Sequence, residues 1–406
     1  MSTYIIRSLE PILKKATTEF PSVVLTGPRQ SGKTTILKHV FGKEYRYVSV
    51  EPPDIRIAAR EDPRGFLALY QPPVIIDEIQ HAPELLPYIK EVIDNNRDRS
   101  GQYILTGSQN LLLVEKITES LAGRTAMLRL LPLSWREIRG LPNKLLPWET
   151  KISVTSGTES TTRELWTSFL RGGYPELNAN QNRDISLWQA SYVQTYLERD
   201  IRGLRQIGDL TQFQSFLRAL AARSAQLVNF SDIARDLGIA LNTVKSWLSL
   251  LEATYQVIVL RPYHANIGKR LVKSPKVYFS DVGTLCYLTG LRDPDHAASG
   301  PMSGQILETA VLSEIVRTLT HRGIDPQIYF WRTSTGHEVD FIIESEGKLI
   351  PVEVKQTSTP RPAMATSIKT FMSDTGDLTN SGYVVHMGNM MLPLGLNVIS
   401  LPFWDL

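Results

Sequence analysis

The sequence predicts an α/β chain: an N-terminal parallel-sheet domain with a helical lid, a helix–turn–helix middle segment and a C-terminal mixed α/β domain. Three observations carry that prediction. Short apolar runs alternate with helical periodicity across residues 1–140, the pattern of a parallel sheet covered by helices. A glycine-rich loop, Gly27 to Thr34, separates the first such run from the first such helix. From about residue 280 a helix is followed by three strand-like runs, two of them carrying acids. The 406 residues leave room for two or three domains. At 42% apolar and 21% charged, the composition excludes a disordered chain, a collagen-like fibre and a disulfide mini-protein. The lone cysteine, Cys286, forbids an intrachain disulfide, fits a reducing compartment and reads as a core thiol in an apolar run. Arg7 and Glu10 interrupt any apolar N-terminal run, and no 18 consecutive residues are apolar. The expectation is a soluble, cytoplasmic protein with no signal peptide and no membrane span.

In the first third, strands are expected at Val23–Thr26, Tyr45–Val50, Val74–Ile76, Tyr103–Thr106 and Met127–Leu131. After the first comes Gly27-Pro28-Arg29-Gln30-Ser31-Gly32-Lys33-Thr34, followed by Thr35 and an apolar helix, which matches G-x-x-x-x-G-K-[ST]. Successive backbone N–H groups in such a loop wrap a phosphate, and glycine lets the chain approach it. The helix N-terminus adds its positive end. Lys33 would reach the β- and γ-phosphates of ATP, and Thr34 would place its hydroxyl on Mg²⁺. Val74-Ile75-Ile76 ends in Asp77 and Glu78. Asp77 would hold Mg²⁺ and Glu78 would orient or deprotonate the attacking water, the role that goes with catalysis. The run Tyr103 to Ser108 offers Thr106 or Ser108 beside the γ-phosphate. Arg124 and Arg199 are arginines that could neutralise transition-state charge.

Residues 149–162 are rich in Ser and Thr and read as a surface loop. Residues 163–225 show helical spacing of Leu, Trp and Tyr; Trp135, Trp166, Trp188 and Trp247 read as core. The whole chain carries a formal +3, which does not by itself mark a nucleic-acid binder, but 199–276 holds 12 Lys and Arg against 5 Asp and Glu. That asymmetry points to a polyanion partner. Within it, Ser231 is expected to cap one helix, Gly238 to turn, and Asn242 to cap a second. A strand at Tyr255–Leu260 and a basic loop at 261–276 complete the pattern of a winged helix. The second helix would face outward with Asn242, Thr243, Lys245, Ser246 and Ser249, and phosphate contacts would come from Lys269, Arg270, Lys273 and Lys276. Tyr263 and His264 are the aromatics placed to stack on a base. DNA contact and simple packing between domains both stay open for this segment.

In the last third a helix is expected at 304–320 and strands at 327–331, 338–344 and 349–355. Glu353 and Lys355 share one face of a strand, and Asp340 arrives from its neighbour. Two carboxylates and a lysine can bind a hard cation and a phosphate oxygen, with Glu308 of the helix as a further ligand. Mg²⁺ there would polarise a phosphodiester while Lys355 steadies the attacking water.

These stretches, with Leu121–Arg124, Gly172-Gly-Tyr-Pro175, Tyr196–Asp200 and Lys273–Phe279, make the chain similar to a known group. It resembles the prokaryotic AAA+ ATPases in which the ATPase precedes a C-terminal domain of unknown function, and that second domain resembles the PD-(D/E)XK nuclease superfamily. The resemblance implies Lys33, Thr34, Asp77 and Glu78 for ATP, and Asp340, Glu353 and Lys355 for a nuclease-like site. It sets expected limits: an AAA+ ATPase domain with helical lid at 1–205, a winged-helix segment at 206–280 and a nuclease-like domain at 281–406. The expected function is ATP-driven engagement of DNA, with Mg²⁺-dependent cleavage by the last domain. The competing reading is a nucleotide-dependent switch whose C-terminal fold is an inactive protein- or DNA-binding module. A homo-oligomer or a protein partner fits either.

Overall fold

Apolar runs buried on both faces make the centre of the first sheet: every residue of Ser22–Thr26, Val74–Asp77 and Tyr103–Thr106 is buried. In this computed structural model, which describes residues 4–107, 119–150, 161–197, 210–264, 274–395 and 397–406, they are strands β1, β3 and β4. With β2 (Arg46–Ser49) and β5 (Thr125–Arg129) they pair in the order β2-β3-β4-β1-β5, all parallel. One apolar cluster, with Phe66, Ile89 and Ile93, covers one face; another, with Leu13, Ile36 and Leu37, covers the other. This order brings the C-terminal ends of β1, β3 and β4 to one edge, where open α/β sheets bind ligands.

A second sheet runs through the middle and C-terminal parts of the chain. Its strands are β6 (Gln226–Leu227), β7 (Val257–Pro262), β8 (Lys276–Phe279), β9 (Ile328–Arg332), β10 (Glu338–Ser345), β11 (Lys348–Lys355), β12 (Gly382–His386), β13 (Pro393–Gly395) and β14 (Val398–Pro402). Their order is β13-β14-β12-β11-β10-β9-β7-β8-β6. β6, β8 and β7 are antiparallel, as are β9, β10 and β11; a short parallel pairing of Arg261 with Tyr329 and Pro262 with Phe330 joins the two groups. One apolar core extends from Leu146 to Leu406. Cys286 lies in it, and burial pushes its thiol up to about 12. Trp166, Trp188 and Trp247 are buried as expected, and Trp135 is half-buried.

Helices Leu210–Ala221, Phe230–Leu237 and Leu241–Ala253 precede β7. Their caps differ from expectation. Asn229, not Ser231, caps the second helix, its side-chain oxygen accepting from the N–H groups of Ser231 and Asp232. The third helix starts one residue before Asn242, capped by the backbone of Ala240, because Gly238 makes its left-handed turn early. Of the Ser/Thr-rich stretch, 151–160 lie outside the described residues, and Thr161 caps the helix Thr162–Arg171 in a capping box with Glu164. No helix among the described residues is long and apolar enough to cross a membrane.

Candidate functional site

The loop after β1 has the backbone that its glycines permit. Gly27 sits at φ +147°, and a Cβ there would fall 2.1 Å from the carbonyl oxygen of Leu130. Gly32, at φ +95°, starts the helix Lys33–Phe41, whose N–H groups face the loop. Lys33 folds over the loop and donates to the carbonyls of Gly27 and Pro28, each at 2.9 Å. The side-chain oxygen of Ser31 is buried without a partner among the described residues, the kind of group a phosphate would satisfy.

Asp77, at the end of β3, is 3% exposed and gathers three hydroxyls. Thr34 donates to its Oδ2 at 2.7 Å, Tyr47 of β2 donates to the same oxygen at 2.7 Å, and Thr106 of β4 donates to Oδ1. A hydroxyl and a carboxylate held together at the loop form a hard-oxygen donor set that suits Mg²⁺. Glu78 follows in the left-handed region at φ +58°, where its carboxylate accepts from Gln80. Motif spacing does not announce Tyr47; the parallel register of β2 and β3 brings it there. Its burial, reinforced by the hydrogen bond to Asp77, raises the phenol well above its ordinary range.

Beside the loop lies a cavity of about 440 Å³. Besides the loop and its helix, its walls come from three places: Tyr4 and Arg7 before the helix Glu10–Glu19, Leu133 after β5, and residues between Pro175 and Arg183. Arg29, Gln30 and Thr35 belong to the loop and its helix, and Gln30 and Thr35 line this cavity. Among the other candidates, Thr106 is brought to Asp77, while Ser108 and Arg199 lie outside the described residues. Arg124 is not brought to the loop. It stands at the opposite edge of the sheet, beside Ser22 where β1 begins, and is paired with Asp94 at 2.7 Å.

The last-third acids also come together. Asp340 of β10 accepts from the N–H of Val354 at 2.8 Å, and Lys355 reaches Glu353 at 2.5 Å. The centre of the group is a lysine that sequence reasoning had placed on the basic loop. Lys276 of β8 is 4% exposed, with its ammonium 2.6 Å from Glu338, 3.3 Å from Glu308 and 3.9 Å from Asp340. It therefore offers nothing to a phosphate backbone. Tyr278, two residues on and on the same strand face, donates to Glu308 at 2.5 Å. Burial, then the charge of Asp340, pushes the carboxyls of Glu308 and Glu353 up to about 8. Among the described residues no three acids, histidines or cysteines converge on a point that could hold a metal ion.

The middle segment keeps an outward helix face with Asn242, Lys245 and Ser249 exposed. Much of its described positive charge is paired at the surface with acids of the same segment: Arg223 and Arg235 pair with Asp236, Arg235 also with Asp232, and Arg261 with Glu252. Lys269, Arg270 and Lys273 lie outside the described residues. Tyr263 is packed edge-on between Tyr329 and Phe371 and presents no stacking platform.

Three family descriptions match the chain in succession. Residues 19–139 match an AAA domain, 162–295 a domain of unknown function (DUF8612), and 303–404 another (DUF4143). Two curated relatives are the uncharacterized protein Mb2031c of Mycobacterium bovis and the uncharacterized protein Rv2008c of Mycobacterium tuberculosis. Each is 32% identical over 397 residues, spanning 96% of this chain and 82% of the relative. A solved structure described as the Walker-type ATPase PABY2304 of Pyrococcus abyssi aligns at 16% identity with a TM-score of 0.46, covering 70% of this chain and 96% of its own.

Proposed function

The chain belongs to the same family as these two mycobacterial proteins, as an AAA-type ATPase with a C-terminal DUF4143 domain, and from that premise we propose that its ATPase cycle governs the engagement of DNA by the middle segment. The observation that carries the ATPase half is the convergence of Lys33, Thr34, Asp77 and Thr106 at one sheet edge. Bound ATP with Mg²⁺ supplies the phosphoanhydride that is cleaved. Lys33 would leave the carbonyls of Gly27 and Pro28 to meet the phosphates. Thr34 and Asp77 would hold the cation. Glu78 would take the proton of the attacking water, and Thr106 keeps Asp77 in place.

One helix, the short strand Gln226–Leu227, two further helices and then two antiparallel strands flanking 265–273 follow one another in the middle segment, an order that supports reading it as a winged helix with its third helix outward. Binding there would rest on phosphate contacts, so it would weaken steeply with salt. We read the limits as 1–205, 206–280 and 281–406.

The test is ATP hydrolysis with Mg²⁺, with and without duplex DNA. DNA should stimulate turnover. Lys33→Ala should abolish nucleotide binding, and Glu78→Gln should bind ATP and lower turnover by two orders of magnitude or more, about 10²-fold. Turnover indifferent to DNA would move the reading to a switch acting on a protein partner.

A second reading concerns cleavage. A buried ammonium among Glu308, Glu338 and Asp340 neutralises the acids that a catalytic cation would need. We read the C-terminal domain as a non-cleaving module, against the nuclease expectation. Plasmid nicking with Mg²⁺ or Mn²⁺ that disappears in Asp340→Ala would overturn it.

A further inference from the structure

The longest helix of the C-terminal domain, Ser303–His321, carries three ionisable side chains on one stripe: Glu314, Arg317 and His321. A stripe of charge on an amphipathic helix is ordinarily its solvent face. Here the three are buried, at 3%, 7% and 0% exposure, and they face the AAA domain. Each binds the segment after β5. The Nε2 of His321 accepts from the N–H of Leu131 at 3.1 Å, Arg317 donates to the carbonyl of Leu133 at 2.8 Å, and Glu314 accepts from the N–H groups of Trp135 and Arg136 at 2.5 and 3.4 Å.

From there the contacts reach the nucleotide site. The Nδ1 of His321 lies 3.2 Å from Glu137, which also accepts from Arg7 at 3.2 Å. Arg7 donates to the carbonyl of Ser31 in the phosphate loop at 2.9 Å and to Leu131 at 2.7 Å. The second hand of Arg317 holds the carbonyl of Ser280 at 2.6 Å and Asp281 at 3.0 Å, and Asp281 accepts from the N–H of Gly173 at 2.7 Å. The carbonyl of Gly173 in turn accepts from the N–H of Leu133. This explains the paired glycines before Tyr174 and Pro175. A Cβ on Gly173 would lie 2.4 Å from Arg317, and one on Gly172 would lie 2.4 Å from Asp281.

Arg7, Leu133 and Pro175 are walls of the cavity beside the phosphate loop. The first two are held directly or through Glu137 by this helix, and the third stands two residues from Gly173. We infer that Glu314, Arg317 and His321 of the C-terminal domain are positioning residues for the nucleotide: they set the three walls of its cavity, and the nucleotide in turn reports to that domain through the same contacts. By linkage the coupling runs both ways.

The experiment uses the full chain and a fluorescent ATP analogue, with His321→Gln and Arg317→Lys beside Phe371→Leu. Phe371 is buried in a different cluster, behind the C-terminal sheet, and serves as a control for stability alone. The two stripe variants should weaken nucleotide affinity about tenfold or more, as small misplacements of binding groups do. The control, with a comparable fall in melting temperature, should bind within about twofold of wild type on that scale. Equal affinity in all four proteins, or equal loss in the control, would overturn the inference. Hydrogen exchange of wild type supplies a reading that needs no variant. Amides of 303–321 should slow when the analogue is added, and should not slow in Lys33→Ala. Unchanged exchange in a wild type that binds the analogue would also overturn the inference. A wild type that binds no analogue would instead remove the ATPase premise.

Discussion

Glu137 shows how much one side chain can hold. Its carboxylate accepts from Arg7 and from the N–H groups of Ser8 and Ser134, at 3.2, 2.8 and 2.9 Å, and it meets His321. Burial opposes its ionisation, but the charge of Arg7, the imidazole of His321 beside it and the bond from Ser134 outweigh that and hold the carboxyl far below the usual range. Burial likewise holds His321 below its ordinary value, so the ring is neutral, with Nδ1 toward Glu137 and Nε2 accepting. The signs agree. A depressed carboxyl gives stability that is present above its unfolded value of 4.5 and is lost as pH falls below it; a depressed histidine loses stability as pH falls below 6.5. Glu137→Gln should therefore cost about 3 kcal/mol or more at pH 7, because it strands Arg7 in the interior. Its urea-unfolding free energy should also fall less than wild type's between pH 5 and pH 3. A variant whose stability falls as steeply in acid would show that the charge of Glu137 is not what the network uses. A Gly27→Ala chain should lose nucleotide binding, because its methyl group would overlap the carbonyl of Leu130; unchanged binding of the fluorescent analogue would contradict that.

At the scale of elements, β8 repeats the lesson. Lys276 and Tyr278 point one way into the acids, and Val277 and Phe279 point the other way into the core. Lys276→Met should leave Glu308, Glu338 and Asp340 facing one another and should cost about 3–5 kcal/mol, the range for breaking a buried pair. Adding Glu308→Gln should recover part of that loss, and thermal melts of the single and double variants measure it. No recovery would mean that Lys276 acts by packing alone. The sequence made the local features legible. Five parallel strands, the helix at 304–320 and the strands carrying Asp340 and Glu353 lie within a residue or two of where periodicity put them, because side-chain period and apolar runs are local properties. The phosphate loop was legible because its chemistry needs fixed spacing. Lys276 was not, since a count of charge carries no depth. Nor was the stripe of Glu314, Arg317 and His321, whose partners lie at Leu131 to Glu137, some 180 residues away. Cap positions moved by two residues: Asn229 rather than Ser231 reaches the backbone donors of the second helix, and the third begins after Ala240 with no side-chain cap.

For the whole molecule, the second sheet decides what can fold alone. β7 belongs to the middle segment, β9 to the C-terminal domain, and they pair with each other; the core around them runs from Leu146 to Leu406 without a break. The family matches at 162–295 and 303–404 therefore describe two stretches of sequence laid into one sheet and one core. The AAA domain keeps apolar clusters of its own on both faces of its sheet, yet Leu133 in the wall of the cavity beside its phosphate loop is held by the helix Ser303–His321. A chain ending at residue 300 would expose the apolar face of the middle segment, leave β7 unpaired on one side and release Leu131, Leu133 and Glu137 from their partners. Such a chain should show no cooperative melt for the middle segment, should be cut there by protease within the time that leaves wild type intact, and should bind the ATP analogue at least about tenfold more weakly. The AAA sheet itself should keep its helical and strand signals in circular dichroism, because its two clusters remain covered. A truncated chain that melts cooperatively and binds nucleotide like wild type would mean that the shared sheet is a seam between independent units, and that the polar stripe stabilises the seam without shaping the site.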